Sequence, residues 1–182
     1  MLSQSILSGL EKEFEYIKND SDLFKTIVNY PFKYRLEVTN LSLGIIVLLL
    51  VNKNEERVDR ICMTDNDLAQ AAKRMSPESF SNIKLPMGDK TNIIVKAIKS
   101  KKPISTMNWT YLVTPALPSD IALLNQAAAG IGHSVVFPFT ARDGGALMYH
   151  FYEDEISQFQ FKFMEDYTNK VNTILNVTKN LN

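Results

Sequence analysis

The feature of this sequence that most constrains its fold is the apolar run LSLGIIVLLLV at residues 41–51. A helix that spans a bilayer needs roughly 20 apolar residues, so this run is too short to be one. As a β-strand, the run suits a position that other parts of the protein bury on both faces. A polar turn at 52–56 and a more polar stretch at 57–63 follow, and together they predict a β-hairpin.

Helical periodicity marks the N-terminal part of the chain. Apolar residues recur there every three or four positions and predict one helix: Leu2, Ile6, Leu10, Phe14 and Ile17. Asn19-Asp20-Ser21 offers a new N-cap, and a shorter second helix is predicted to end at Pro31. Residues 32–43 fit either a loop or an extra edge strand.

Short elements are predicted after the hairpin. A helix begins at Asp65 or Asn66 and ends at Ser76-Pro77, because the residue before a proline disfavours helix. Three further elements come next: a strand at 83–85, a helix at 91–100 and a strand at 104–105. Residues 107–118 hold two prolines and the only tryptophan, which predicts an irregular loop that covers the core.

The C-terminal part begins with a helix that Ser119 is predicted to cap and that stops at Gly130. Strands at 132–140 and 145–152 follow, joined by a turn that contains Asp-Gly, a strong hairpin pattern. The last predicted element is a long helix at 155–181, on which one stripe of residues recurs at helical spacing: Ile156, Phe159, Phe163, Tyr167, Val171, Ile174 and Thr178. The part from Val171 onward exceeds what a domain of this size usually covers, so we expect a coiled-coil extension or a frayed tail.

This order of elements predicts an α+β domain with a central antiparallel sheet of five or six strands. Its 182 residues are the size of one ordinary domain. Twenty basic and twenty acidic residues balance, so the chain lacks the basic excess that nucleic-acid binding needs. A single cysteine cannot form an internal disulfide or a thiolate cage for zinc, and two histidines leave little room for a multi-histidine metal site. We therefore predict no metal site.

The N-terminus does not look like a signal peptide, because it has no basic start followed by a long apolar core. Together with the single cysteine, this indicates a cytoplasmic protein that is not bound to a membrane.

Four segments of the chain, in this order, resemble the GAF domain, a family of small-molecule-sensing and protein-interaction modules. The segments are DSDLFKTI from Asp20, the hairpin GIIVLLLVNKNEERVDRIC, the stretch KLPMGDKTNIIVKAIKSKKPISTMNW, and the closing stretch from AAAGIGHSVVFPFTARDGG to the last helix. The resemblance implies that the N- and C-terminal helices pack on one face of the sheet, with the short helices and the Trp109 loop over the other. It also implies a homodimer formed through the terminal helices. On this basis we divide the chain into an N-terminal helix at 1–19, which serves in dimerisation or as a linker, and a GAF-like domain at 20–182.

In this family, a pocket lies on the sheet face opposite the terminal helices, and the resemblance gives the candidate ligand-binding residues. They are Met63, Met87, Trp109, Tyr111, His133, Phe137 and Tyr149. Trp109 and Tyr111 alternate in the predicted loop, so we expect them to point the same way. They would either stack on a flat ligand or plug the core beneath the loop. The sequence identifies no particular cofactor.

Several chemical subclasses of the family fit this sequence poorly. Cys62 lacks the context in which bilin-binding relatives attach their pigment, and a buried thiol is the better interpretation. The cyclic-nucleotide signature is present only in misplaced fragments, such as Asn52-Lys53 and Asp154-Glu155. His133 and His150 could each be a haem ligand or a general base, but structural roles are favoured because the sequence places no partner beside them.

We therefore predict no catalytic residue and a non-enzymatic sensory or regulatory domain, which binds a small ligand or a protein partner and relays through its terminal helices. Two alternatives stay open. One is a small enzyme of the free methionine-sulfoxide reductase type, which a single cysteine disfavours because no resolving thiol is present. The other is a dimerisation module whose pocket has closed.

Overall fold

The structure is a computed structural model that describes residues 2–75 and 82–178. Its helices are α1 (Leu2–Phe14), α2 (Asp20–Asn29), α3 (Arg35–Asn40), α4 (Asp67–Arg74), α5 (Ile93–Ser100), α6 (Thr110–Val113), α7 (Ser119–Ala129) and α8 (Gln158–Val177), with a 3-10 turn at Tyr30–Lys33. Its strands are β1 (Leu43–Asn52), β2 (Arg57–Met63), β3 (Lys84–Pro86), β4 (Ile104–Thr106), β5 (His133–Phe139) and β6 (Gly145–Phe151). Among the described helices, none is both long and apolar enough to cross a bilayer.

The six strands form one antiparallel sheet in the order β3-β2-β1-β6-β5-β4. β1 lies at its centre, and every residue from Leu43 to Leu49 is buried. Successive side chains of a strand point to opposite faces, so Ile46 and Leu48 enter one core while Ile45 and Val47 enter another. The predicted burial of this strand on both faces is confirmed, as is the α+β class with a central antiparallel sheet.

One face of the sheet is covered by α1, α2 and α8, which we call the helical layer. Ile6 and Leu10 of α1 are buried in the same core as Phe163 and Tyr167 of α8. The Tyr167 hydroxyl also donates a hydrogen bond of 2.7 Å to the carbonyl of Ile27, which joins α8 to α2. The predicted position of the terminal helices on one common face is confirmed.

The last helix is shorter than predicted and is packed along its length. Ser157 and Gln160 form a capping box that starts α8 at Gln158, and the helix ends at Val177. In the part of the helix from Val171 onward, which was expected to extend beyond the domain, Val171, Ile174 and Leu175 are all buried. The expectation of a coiled-coil extension or frayed tail from Val171 is therefore wrong for the residues up to 178, because α1 and α2 provide a surface for them.

The opposite face is covered by α4, α5, α6, α7 and the residues around Trp109, which we call the roof. Asn92, buried at the start of α5, accepts from the backbone N–H groups of Ile94 and Val95 and donates to the carbonyls of Leu112 and Thr114, both at 2.9 Å. One side chain thus caps α5 and fixes α6 to it. The predicted covering by short helices and the Trp109 segment is confirmed.

Three local predictions differ from the structure. Residues 32–43 are mostly helical and form neither the predicted loop nor an edge strand, because the 3-10 turn at Tyr30–Lys33, which has Pro31 near its start, leads into α3. α1 ends at Phe14 and does not continue to Ile17. α7 has Pro118 at its N-cap, so Ser119 is its first residue and makes no capping hydrogen bond. The predicted stop at Ser76-Pro77 lies outside the described residues.

The turn between β5 and β6 ties the helical layer together. Arg142, Asp143 and Gly144 all have positive φ, which matches the Asp-Gly turn prediction. This conformation turns the Arg142 side chain toward α2 and α8, where its guanidinium pairs with both carboxylate oxygens of Asp20, one at 2.8 Å, and donates to the carbonyl of Thr178 at 2.6 Å. The start of α2 and the end of α8 are therefore held by one side chain.

Gly9 allows α1 to approach the rest of the helical layer closely, and we predict that Gly9→Ala destabilises the fold by about 1–3 kcal/mol. An added Cβ would collide with the hydroxyls of Tyr30 and Tyr34, which lie 3.0 Å apart. In an exposed helix the same change would stabilise, because alanine is the better helix former. Urea unfolding measures the effect, and Lys12→Ala at an exposed position of α1 is the control. An unchanged or increased stability of Gly9→Ala would contradict the packing of α1 described above.

Candidate functional site

A small cavity lies between the sheet and the roof. Its volume is about 40 Å³, which holds two or three water molecules. The sheet and the adjoining segment contribute Ile45, Arg60, Met63, Ile83 and His150, and the roof contributes Ala72, Lys73, Trp109, Val113, Leu117, Ala122 and Asn125. Most of this wall is apolar, with a few polar groups, which is the usual composition of a ligand pocket.

An irregularity in β2 places two of the lining residues in the cavity. Leu49 pairs with Arg60 and Leu48 pairs with Cys62, so Ile61 is an extra residue that the partner strand skips. After this bulge, the alternation of side chains is reversed. Arg60 before it and Met63 after it therefore both face the cavity.

Two of the lining residues, Trp109 and His150, belong to a buried hydrogen-bonded cluster with Ser134. Ser134 and His150 pair directly across β5 and β6 and are both buried. The Trp109 indole N–H donates to Ser134 Oγ at 2.9 Å, and Ser134 Oγ lies 2.6 Å from His150 Nδ1. Since an indole N–H can only donate, we assign the serine hydroxyl as the donor to Nδ1. The cluster fixes the indole, whose ring lies 4.8 Å from the His150 ring.

His150 is a neutral imidazole in this environment. Burial, and to a smaller extent the nearby charge of Arg60, lowers its pKa from 6.5 to about 3. With Nδ1 accepting from Ser134, the ring proton resides on Nε2. An imidazole with so low a pKa is a weak general base, so the Ser134–His150 contact is poorly suited to activating a nucleophile.

Arg60 introduces a positive charge into this apolar wall. The residue is partly exposed, but burial of its guanidinium lowers its pKa from 12.5 to about 10. The group is therefore still protonated at neutral pH, although its surroundings disfavour the charge.

Polar side chains also hold the roof in place over the cavity. With its amide oriented to satisfy both partners, Asn125 donates to the carbonyl of Ile121 at 3.3 Å and to that of Met75 at 3.2 Å, so it joins α7 to the end of α4. Gln126 accepts from the backbone N–H of Trp109 at 2.9 Å and donates to the carbonyl of Met107. The segment that carries Trp109 is thus attached to α7.

Two of the residues predicted as ligand-binding line this cavity, Met63 and Trp109. Met87 packs beneath the roof outside the lining. Tyr111 is 56% exposed, whereas Trp109 is only 8% exposed, so the expectation that they point the same way is wrong. The reason is that residues 110–113 form a helical turn, in which positions two apart face different directions.

The other three predicted residues lie elsewhere. Phe137 and Tyr149 are on the opposite face of the sheet, in the core under the helical layer, because they alternate with the cavity-facing positions on β5 and β6. His133 lines a separate open groove at the sheet edge, where its Nδ1–H donates to the carbonyl of Asp154 at 2.6 Å. The structure therefore does not bring these three side chains to the cavity.

Cys62 also lies on the far side of the sheet. The bulge at Ile61 turns its side chain toward the helical layer, where it is partly buried, and burial raises the pKa of the thiol. A raised pKa leaves less of the nucleophilic thiolate. This position separates the only cysteine from the cavity and agrees with the interpretation of a buried thiol.

Sequence reasoning missed Arg60, Ser134 and Asn125. The turn at 142–144 fixes the register between β5 and β6. From that register, the pairing of Ser134 with His150 could have been predicted. For Arg60, the only available indication was an arginine within the second strand of the hairpin, and the bulge that directs it inward has no marker in the sequence.

Comparison with solved structures identifies the fold. The structure is similar to a phycoerythrobilin-bound GAF domain from a cyanobacterial phytochrome (TM-score 0.64, 13% identity, 98% of this chain and 96% of that one). It is also similar to the GAF domain of an Acinetobacter phosphoenolpyruvate-protein phosphotransferase (TM-score 0.62, 10% identity, 97% and 93%). A third is the GAF domain of a two-component sensor histidine kinase from Bacillus halodurans (TM-score 0.58, 13% identity, 90% and 97%).

No protein-family model and no curated protein matches the sequence. The chain nevertheless has the GAF-domain fold over nearly its whole length, which confirms the fold that the resemblance in sequence implied.

We predict that His150 makes the stability of this protein depend on pH. A pKa lowered in the folded state means that the unfolded chain binds more protons below pH 6.5, so stability is lost as the pH falls from 6.5 toward about 3. The expected loss between pH 7 and pH 5 is about 2 kcal/mol. Urea unfolding at both pH values measures it, and the difference should largely disappear in His150→Asn.

His133→Asn is the matched control, because His133 is the second of the two histidines and lies at the sheet edge. It should keep the pH dependence of the unmodified protein. If both variants behave alike, His150 is not buried as a neutral imidazole.

Proposed function

We propose that this chain is a non-enzymatic sensory or regulatory domain that binds a small ligand in the roofed cavity and relays binding through its terminal helices. The observation that carries the proposal is the cavity itself, enclosed by sheet and roof and bordered by Trp109, Arg60 and His150. An apolar space with a few convergent polar groups is the usual form of a small-molecule site.

The solved structures with the same fold support this proposal through the proteins from which they come. One structure with the same fold holds phycoerythrobilin, and another comes from a sensor histidine kinase. These domains share the fold but only about an eighth of their residues with this chain, so the ligand here must be inferred from its own cavity.

A direct connection between cavity and helical layer supports the relay. His150 and Tyr149 are neighbours on β6 and point to opposite faces of the sheet. The Tyr149 hydroxyl lies 2.9 Å from Thr168 Oγ1 on α8, and the preceding residue, Tyr167, donates a hydrogen bond to the carbonyl of Ile27 on α2. A ligand that shifts His150 would therefore displace the strand that carries the α8 contact. Such a ligand would shift the equilibrium between two arrangements of the terminal helices only to the extent that it binds one arrangement more tightly than the other.

The predicted homodimer would use the outer surfaces of α1 and α8. The exposed side of α8 is mostly polar, and its large exposed apolar side chains are Phe159, Phe161 and Val177. A cytoplasmic location is proposed on the sequence grounds given above. Light scattering of the purified protein measures the assembly state.

One observation favours a second function, a dimerisation module with a closed cavity. The space of about 40 Å³ accepts only two or three waters, so a larger ligand requires the roof to move. The two functions differ in one measurable property, since only the first requires a small molecule to enter.

We predict that filling the cavity abolishes ligand binding. Ala122 of α7 is buried and lines the cavity, whereas Ala128 on the same helix is exposed. Ala122→Leu should therefore lose any small molecule retained in native mass spectrometry and any thermal shift from a metabolite library. Ala128→Leu makes the same chemical change outside the cavity and should behave as the unmodified protein.

Hydrogen exchange of α8 with and without the identified compound then tests the relay, with slower exchange expected around Thr168. The sensory proposal fails if the unmodified protein shows neither a retained mass nor a library shift. It also fails if Ala122→Leu binds as well as Ala128→Leu.

A further inference from the structure

The cavity wall leaves one uncharged hydrogen-bond donor without a protein partner. Among the described residues that line the cavity, three have uncharged N–H groups in their side chains, namely Trp109, Asn125 and His150. The Trp109 indole N–H donates to Ser134 Oγ, and the Asn125 amide donates to two backbone carbonyls. The ring N–H of His150 has no acceptor in the part of the chain that the structure describes.

The position of this proton follows from the contact with Ser134. The serine hydroxyl donates to His150 Nδ1 at 2.6 Å, so the neutral ring carries its proton on Nε2. His150 is only 2% exposed and lines the cavity, so the cavity is the space from which an acceptor can reach Nε2. Buried donors in proteins nearly always have an acceptor, and this one therefore indicates a bound molecule.

Most of the remaining wall suits an apolar body. Ile45, Met63, Ile83, Val113 and Leu117 contribute side chains without hydrogen-bond donors. The volume of about 40 Å³ limits a ligand that leaves the roof in place to a few non-hydrogen atoms. The molecule that fits is therefore small and mostly apolar, with one polar atom for Nε2.

A charge on the ligand is disfavoured by the same wall. Burial lowers the pKa of Arg60 from 12.5 to about 10, so a charged group is less stable here than in water. Arg60 and Lys73, the two basic residues of the described lining, each interact with other residues of the protein, so neither depends on a bound anion. An ionised ligand would also lose its hydration on entering.

We propose, on the basis of the proposed function, that the cavity binds a small uncharged molecule with one hydrogen-bond acceptor on an apolar body, such as a short ketone, aldehyde or ester. Its oxygen accepts the hydrogen bond from His150 Nε2, and its hydrocarbon part contacts side chains such as Met63 and Leu117. The Trp109 ring, whose centre lies 4.8 Å from that of the His150 ring, gives the ligand a flat surface on the roof side.

Nuclear magnetic resonance observes the site directly, because Trp109 is the only tryptophan and gives a single indole N–H signal. Protein labelled with nitrogen-15 is titrated with 2-butanone and with 2-methyl-1-butene, in which a CH₂ group replaces the carbonyl oxygen. Propionate and sec-butylamine serve as charged molecules of the same size.

We expect both uncharged molecules to shift the Trp109 signal. The His150 Nε2 proton should lie further downfield in the ketone complex than in the alkene complex, because only the ketone accepts a hydrogen bond. The two charged molecules should bind at least about tenfold more weakly than the ketone, because burial of a charge is costly.

Two substitutions of His150 separate the donor from the shape of the site. The amide of His150→Asn replaces Nδ1 and keeps a partner for Ser134, but nothing replaces Nε2, whereas the longer side chain of His150→Gln keeps a donor near the Nε2 position. The ratio of ketone affinity to alkene affinity should fall about fivefold in His150→Asn, the contribution of one neutral hydrogen bond, and should be retained in His150→Gln.

His133→Asn is the matched control, since His133 lies at the sheet edge outside the cavity lining, and it should leave the ratio unchanged. Thermal unfolding confirms that each variant is folded. The comparison of proton shifts uses the unmodified protein, so it decides the question even if His150→Asn does not fold.

Equal proton shifts in the ketone and alkene complexes, or an affinity ratio that His150→Asn does not change, would overturn the assignment of the acceptor to His150. Tighter binding of propionate or of sec-butylamine would overturn the assignment of an uncharged ligand. Failure of all four molecules to bind at millimolar concentration means that the cavity holds only water, and it overturns the inference as well. In each of these cases, a retained mass that Ala122→Leu loses shows that the sensory proposal still holds with a ligand of another class.

Discussion

Burial of β1 on both faces is the constraint on which the rest of the structure depends. Its residues from Leu43 to Leu49 are all inside the protein, so the chain must supply one layer for each face of the sheet. The two ends of the chain form the helical layer, and the middle forms the roof. The helices of the first layer pack their apolar stripes into one core with the sheet. The roof consists of helices of four to eleven residues, and the cavity remains between these short pieces.

The sequence predicts the parts of this fold whose pattern extends over many residues. α8, β1 and the β5–β6 hairpin have strong periodicity or a defined turn, and each is observed where it is predicted, although α8 is shorter than its predicted range. α3 and α6 are too short for periodicity to be recognised, and helices of this length are stable only through tertiary contacts. The buried Asn92, which holds the end of α6, is an example of such a contact. A single sequence contains no information on which distant carbonyl an asparagine will meet.

The candidate site was less predictable for a different reason. Side chains along a strand point alternately to the two faces of the sheet, so the face that a residue occupies depends on the register of its strand. A bulge reverses this alternation. The extra residue Ile61 directs Arg60 to the cavity and Cys62 away from it. On β6, the apolar neighbours of a histidine gave no indication that Tyr149 faces α8 while His150 faces the cavity. The prediction that Trp109 lies in a segment covering the core is confirmed, because that prediction did not depend on the alternation of side chains along a strand.

Both layers bury an apolar core against the sheet, and each adds polar contacts of its own. The helical layer is closed mainly by apolar contacts, which cannot be replaced by water without a large loss of stability. The roof likewise buries apolar side chains against the sheet, and it is fixed in addition by hydrogen bonds from three polar side chains, Ser134, Gln126 and Asn92. Hydrogen bonds of this kind have a small net free energy, because water offers the same groups an alternative partner. Opening the roof would break these hydrogen bonds and would also expose the apolar side chains beneath it, so a ligand larger than the present cavity would have to offset both costs.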